Sequence, residues 1–296
     1  MSNLEDLKRK ISTAKDLRSV VKTMKALAAV SIRQYEKAVI SLSEYDRTLE
    51  MGLQILLKKN PEILLTEKPN LPGDRLAVVV FGSDWGMCGQ FNEKIAQYTT
   101  EHLNSLPFLP ANRLILTVGA RVRDRIAAKK IETQAYFPVP SSIAGITQIV
   151  REIVLTLETW RQESRVSKIL LFRNYPFSGT AYRQSYLQIF PLNSDWLKQL
   201  KQRQWPSRCL PTFTMQETAL ASALFRQYFF VSLYRACAES LASENASRLL
   251  SMQMAEKNIS ERLSELNLEF NHQRQTAITS ELLDIVSGFE ALSDRG

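Results

Sequence analysis

Proline and glycine are scarce at both ends of this chain. From Thr212 to Ser287 there is neither, and from Met1 to Gln54 only Gly52 interrupts. These residues punctuate turns and loops, so each stretch reads as one unbroken helix, far longer than the ~11–12 residues usual in globular domains. Histidine is nearly missing as well. His102 and His272 alone leave little for a histidine metal site or a catalytic triad, and no catalytic, metal or cofactor-binding residue is assigned. Cys88, Cys209 and Cys237 lie far apart with no CxxC, which argues for free thiols in a reducing compartment. No apolar run approaches the length of a membrane-crossing helix. The first apolar residues, Leu4, Leu7 and Ile11, are separated by charges, unlike a signal peptide. Any membrane association is expected to go through a partner.

What is present is a basic chain of 296 residues with net charge +8 and an ordinary hydrophobic share of 45%. The basic balance allows a solvated surface, nucleic acid or an acidic protein partner. Lys8, Arg9, Lys10, Lys15, Arg18, Lys22, Lys25 and Arg33 are interspersed with Glu5, Asp6 and Asp16, unlike a disordered basic tail.

At the N-terminus, positions 4, 7, 11, 14, 18, 21, 25, 28, 32, 35, 39, 42, 46, 49, 53 and 56 form a mostly apolar 3–4 seam, broken by Arg18, Lys25 and Asp46. That spacing predicts a left-handed coiled coil, and polar seam residues fix register or meet a partner. Leu17, Val20, Met24 and Leu27 lie beside the seam and predict burial on a second side near residues 17–28. Asn60-Pro61 ends the helix. After Pro211-Thr212, apolar residues from Leu220 to Phe289 recur at helical spacing, predicting a helix longer than roughly 100 Å. The natural partner for such a helix is the N-terminal one, running antiparallel. The seam weakens near Ser243-Glu244-Asn245 and His272-Gln273-Arg274-Gln275, a hint of contact surfaces.

Between the helices, strands are predicted at Arg75–Phe81, Arg113–Val118, Ile131–Phe137, Lys168–Arg173 and Tyr182–Phe190. Helices are predicted at Phe91–Ser105, Ala120–Lys129 and Ser141–Arg165, the last with Ser141 or Ser142 as N-cap. The alternation gives a central α/β, Rossmann-like layer with a mostly parallel sheet and an antiparallel edge. The domains are read as a coiled-coil helix over 1–60, the α/β unit over 74–195 and a second coiled-coil helix over 211–290.

The loop Gly82-Ser83-Asp84-Trp85-Gly86-Met87-Cys88-Gly89-Gln90-Phe91-Asn92 sits where phosphate loops sit, between strand and helix. Its glycines fit neither GxGxxG nor GxxxxGK[ST], and it has no lysine. A tight turn needing glycine at positive φ is the favoured reading, with Cys88 simply buried.

Three motifs now resemble one family, the gamma subunit of F-type ATP synthases, over nearly the whole chain. They are LKRKISTAKDLRSVVKTMKALAAVSIRQ with Met24-Lys25, GSDWGMCGQFN, and SENASRLLSMQMAEKNISERLSELNLEFNHQRQTAITSELLDIVSG. The resemblance implies a non-catalytic shaft, one copy per complex, with no direct membrane insertion. Its terminal helices would enter a ring of alpha and beta subunits, and its middle domain would stand beside the epsilon subunit on the membrane rotor ring of c subunits. Carried over by motif, Met24, Lys25, Arg248, Arg274, Gln275, Thr279 and Glu281 would contact beta. Leu282, Ile285 and Phe289 would turn in an apolar sleeve. Ser83, Asp84, Gly86, Cys88, Gly89, Phe91 and Asn92 match the family's loop. The expected location is peripheral, on the cytoplasmic face of a bacterial plasma membrane or the equivalent thylakoid face.

Departures from the family pattern are Trp85 for arginine, Gln90 for a second glycine, and Val30-Ser31 for Ala-Lys. They point to a divergent or second synthase. The paired-cysteine insertion of photosynthetic gamma subunits is missing from the middle domain, so dithiol control is not expected. Two rival readings differ in class. A nucleotide-binding α/β enzyme needs a convergent acid, base or phosphate cluster, and none is found. A coiled-coil nucleic-acid binder needs exposed aromatics among its basic residues, whereas most aromatics here fall in strands or apolar stripes.

Overall fold

The computed structural model describes residues 2–60, 73–178 and 181–293, with side chains at 4–60, 73–177 and 181–287. The elements run α1 (Ser2–Lys59), β1 (Arg75–Phe81), α2 (Phe91–Ser105), a 3-10 turn (Pro110–Asn112), β2 (Arg113–Val118), α3 (Ala120–Ala128), β3 (Ala135–Phe137), α4 (Ile143–Glu163), β4 (Val166–Ser178), β5 (Ala181–Phe190), α5 (Ser194–Gln202) and α6 (Glu217–Ser293). The chain divides into two compact units, Met1–Leu27 with Leu249–Gly296, and Ala28–Arg248.

In the larger unit the sheet order is β3-β2-β1-β4-β5. Its first four strands are parallel and β5 is an antiparallel edge, as the strand–helix alternation predicts. β1 is buried along nearly its whole length because both sheet faces are covered. Ala77, Val79 and Phe81 face a core built with α4 and with Leu233, Cys237 and Leu241 of α6. Leu76, Val78 and Val80 face α2 and α3 through Ile95, Leu103, Val122 and Ile126.

The seam of α1 behaves as its spacing predicts. Of the sixteen seam positions, only Arg18 is exposed. In the smaller unit Leu7 and Ile11 pack on Leu263 and Leu266, and Lys25 pairs with Glu256, an antiparallel order. In the larger unit Asp46 pairs with Arg235 and Lys59 with Glu217, again antiparallel. Two of the three polar seam residues are therefore ion-paired across the helix pair. At Gly52 α6 packs close, since a Cβ there would stand 2.9 Å from Leu224 Cδ2. The second apolar set does not behave as expected: Leu17, Val20 and Leu27 are more than half exposed, and Met24 is half-buried. One partner helix covers only one stripe of α1.

Other differences are local. β3 starts at Ala135 rather than Ile131, because Lys130 turns left-handed (φ 61°) after α3. Gln134 then spends its side chain as a ladder acceptor, taking the Ile115 N–H at 2.6 Å. β4 runs past Arg173 to Ser178 and carries Asn174 and Pro176, poor strand formers. Asn174 is tolerated because Gln184 Nε2 donates to its Oδ1 at 2.9 Å. α4 is two residues shorter at each end, and Ser142 is the N-cap, accepting from the Gly145 N–H. α5 was not expected. Asn193 caps it by accepting from Asp195 N and Trp196 N, and Leu197 and Leu200 bury against Leu53, Leu56 and Leu57. α6 starts at Glu217 rather than Thr212. Phe213 packs into that leucine cluster under Lys59 Nζ, which lies 4.5 Å from its ring centre.

Candidate functional site

The loop after β1 folds inward on itself. Asn92, in the first turn of α2, accepts from Ser83 N through Oδ1 (2.9 Å) and donates from Nδ2 to Ser83 Oγ (2.7 Å). Ser83 Oγ donates to the Trp85 carbonyl at 2.8 Å. The Cys88 thiol lies 3.6 Å from both Ser83 Oγ and Asn92 Nδ2, and burial pushes its pKa up. A protonated, enclosed thiol is a poor nucleophile. Asp84 ties three elements together. Its Oδ1 accepts from Ala120 N at the start of α3 (2.8 Å) and from the Tyr136 hydroxyl (3.2 Å), and its Oδ2 accepts from Val139 N (2.7 Å). Phe91 is fully buried beside Tyr182. The loop's left-handed residues are Met87 and Gly89, not Gly86. Gly82 is required by contact instead: a Cβ there would stand 2.3 Å from Val122 Cβ. The loop's polar groups are consumed internally, so this is a brace, not a phosphate cradle. Its outward side is Trp85, 76% exposed, and Met87, 57% exposed, with Gly89 and Gln90 also open to solvent.

The brace also takes hold of α6. Ser247 Oγ donates to the Cys88 carbonyl at 2.7 Å. One turn earlier Glu244 is buried, and its Oε1 accepts from Arg248 Nη2 at 2.7 Å. Its Oε2 has no hydrogen-bond partner among the described residues. Burial raises the Glu244 pKa to about 7 against the opposing pull of Arg248. Arg248 Nη1 reaches Asn245 Oδ1 at 3.4 Å, and its side chain is only 14% exposed. The break at 243–245 in the apolar seam of α6 is therefore a buried polar cluster rather than an open face.

In the smaller unit the assigned residues of α6 face outward. Arg274, Gln275, Thr279 and Glu281 are exposed on α6, and Thr279 Oγ1 donates back to the Gln275 carbonyl at 2.9 Å. Leu282 and Ile285 are 58% and 68% exposed. Phe289 lies outside the described side chains. Lys25 is turned to Glu256, whose carboxyl it holds below the usual range. Among the described residues no group of histidine, cysteine and carboxylate side chains could hold a metal.

Several similar proteins carry the name ATP synthase gamma chain. The chain is 25% identical over 223 residues to the ATP synthase gamma chain of Ehrlichia canis (strain Jake), covering 74% of this chain and 75% of that one. It is 27% identical over 225 residues to the ATP synthase gamma chain of Wolbachia pipientis subsp. Culex pipiens (strain wPip), with 74% of each covered. The profile of the ATP synthase family matches residues 3–292. This chain belongs to the ATP synthase gamma family. Its fold agrees with that of chains in solved ATP synthases. A chain of the Euglena gracilis mitochondrial ATP synthase rotor in rotational state 1 superposes with a TM-score of 0.64 at 15% identity, over 94% of this chain and 99% of that one. A chain of the Tetrahymena thermophila mitochondrial ATP synthase central stalk and c-ring gives 0.54 at 17% identity, over 80% and 99%. A gamma-family chain is a subunit of a membrane-associated complex, and no helix among the described residues is long and apolar enough to cross a membrane.

Proposed function

We propose that this chain is the central stalk of an F-type ATP synthase, a non-catalytic rotor that couples ion flow across a membrane to ATP synthesis or hydrolysis in its partners. The observation that carries the reading is the match to the family over residues 3–292, joined to terminal helices that pair antiparallel within each unit. The functional divisions are the two helical segments, 1–60 and 211–290, and the α/β unit, 74–195. The helical segments work inside the ring of alpha and beta subunits, and the α/β unit meets the epsilon subunit and the c-subunit ring. The protein sits peripherally on the cytoplasmic face of a bacterial plasma membrane or the equivalent thylakoid face. Rotation changes beta by differential contact, favouring one conformational state over another. Exposed ion pairs suit that task because each is worth only about 0–1 kcal/mol, so the shaft slides without deep wells.

Met24 and Lys25 on α1, with Arg248, Arg274, Gln275, Thr279 and Glu281 on α6, are the contacts with beta. Leu282, Ile285 and Phe289 form the apolar bearing. The exposure of Arg274, Gln275, Leu282 and Ile285 supports this reading. Arg248 must first give up its bond to Glu244. Co-expression with alpha and beta subunits, followed by sizing and an ATP hydrolysis assay, tests the proposal. The expected result is one large complex whose turnover needs this chain. Identical assembly and turnover without it would refute the rotor role.

A further inference from the structure

Away from the loop and the exposed helix surfaces, the larger unit holds a cavity of about 400 Å3 between the end of α4, strands β4 and β5, and the start of α6. Its volume falls in the range of small-molecule sites, about 300–1,000 Å3. The floor is apolar and already packed. Leu157 and Ile169 are buried, and Phe225 contacts Phe190 edge-on at 6.0 Å between ring centres and Phe229 at 5.7 Å. Such an aromatic wall needs no reordering to receive a ligand.

The mouth is cationic. Arg161 stands over the Phe190 ring at 5.4 Å, and no carboxylate pairs with it among the described residues. Arg226 touches Glu158 only at 3.9 Å, with the two side chains 73% and 47% exposed. A pair that open is worth at most about 1 kcal/mol, so Arg226 is readily recruited by a better partner. Two guanidiniums against one carboxylate, set above an aromatic floor, are the features that hold an anionic head and an apolar body. A planar guanidinium also accepts a carboxylate through two parallel bonds.

We propose that this cavity binds a small amphiphilic carboxylate, with its head on Arg161 and Arg226 and its chain or ring on Phe190, Phe225 and Phe229. The site is independent of the rotor reading. The full chain would be titrated with a dansyl-labelled undecanoate at about 0.15 M salt, where long-range surface attraction is screened. One saturable site is expected, displaced by decanoate and not by decylamine. Arg161→Gln, a surface change that leaves the fold intact, should weaken it about tenfold, the worth of one charge-assisted bond. Ser222→Trp should fill the cavity and abolish the site, with circular dichroism confirming the fold. Binding that is undiminished in Arg161→Gln, or displaced equally by the amine, would be general adsorption to exposed helix faces and overturns the proposal. A second titration on the assembled complex separates a free ligand from a partner's own acidic segment. A retained signal sensitive to Arg161→Gln supports the free ligand, and a signal lost on assembly overturns it.

Discussion

Two segments of this chain resemble the gamma family closely, and they use their side chains in opposite ways. In the loop from Ser83 to Asn92 the polar groups turn inward. Ser83, Asp84, Cys88 and Asn92 bond one another or the backbone of α3 and the residues after β3. In the α6 segment from Arg274 to Ile285 the side chains point to solvent. A strong motif therefore marks two different physical demands. One is an interior braced by the residue, and the other, on the proposed reading, is a surface kept for a partner.

The largest expected effect lies in the brace. Asp84→Ala removes the acceptor of three bonds and strands two backbone N–H groups. Each of the two backbone bonds to the carboxylate is worth about 1.5–3 kcal/mol, so a loss of roughly 3–6 kcal/mol is expected, read from the urea midpoint. A loss below about 1 kcal/mol would mean that the loop is not a brace.

Next comes Glu244, buried where the brace meets α6. Its folded pKa is raised from 4.5 to about 7, so the folded state holds this proton more tightly than the unfolded state. The group's contribution to stability is greatest at low pH and is lost as pH rises from about 4.5 to about 7. The swing is on the order of 3 kcal/mol, at about 1.4 kcal/mol per pH unit. Glu244→Gln should flatten that part of the stability–pH curve, as measured by urea unfolding at several pH values. An equal slope in the variant assigns the titration to another group.

Lys25 and Glu256 lie between the extremes, paired across the helix pair but part-exposed. Lys25→Ala and Glu256→Ala should each lower the thermal midpoint slightly, and the double variant should lose no more than the larger single change. Additive losses would show that the two side chains act separately.

How far this was legible follows from what each signal records. The sheet order, the parallel core and the antiparallel edge follow from β-branched runs alternating with helical periods, because parallel strands buried on both faces need such runs. The seam of α1 was legible down to single residues, since burial on one stripe imposes its period on the sequence. Other features were hidden. α5 carries an Asn193 cap and Leu197/Leu200 spacing, but its nine residues are too few for a periodic signal. Asn174 and Pro176 conceal half of β4 because propensity says nothing of a Gln184 partner. The polar stretch at 243–245 was read as a contact surface, yet it is buried, because a polar residue in a seam looks the same whether it meets solvent or an ion-pair partner. Leu17, Val20 and Leu27 show the reverse: apolar residues predict a covering neighbour, and among the described residues these three stay more than half exposed.

The smallest effect on stability is the sharpest test of the comparison. Arg274 and Gln275 are exposed, and among the described residues no carboxylate pairs with Arg274. Replacing both by alanine removes helix-compatible surface groups with a better helix former, so stability should stay within about 0.5 kcal/mol of the parent. Coupled turnover of the assembled complex should nonetheless fall if, as proposed, these groups act on beta. The brace predicts the inverse pattern, a large loss of stability before any specific loss of coupling. If the double alanine variant unfolds early, the α6 surface is part of the fold after all. If it is as stable as the parent and turns over at the parent's coupled rate, Arg274 and Gln275 have no role in torque, and the contacts with beta must be sought among the exposed Leu17, Val20 and Leu27 of α1, where apolar surface stands uncovered.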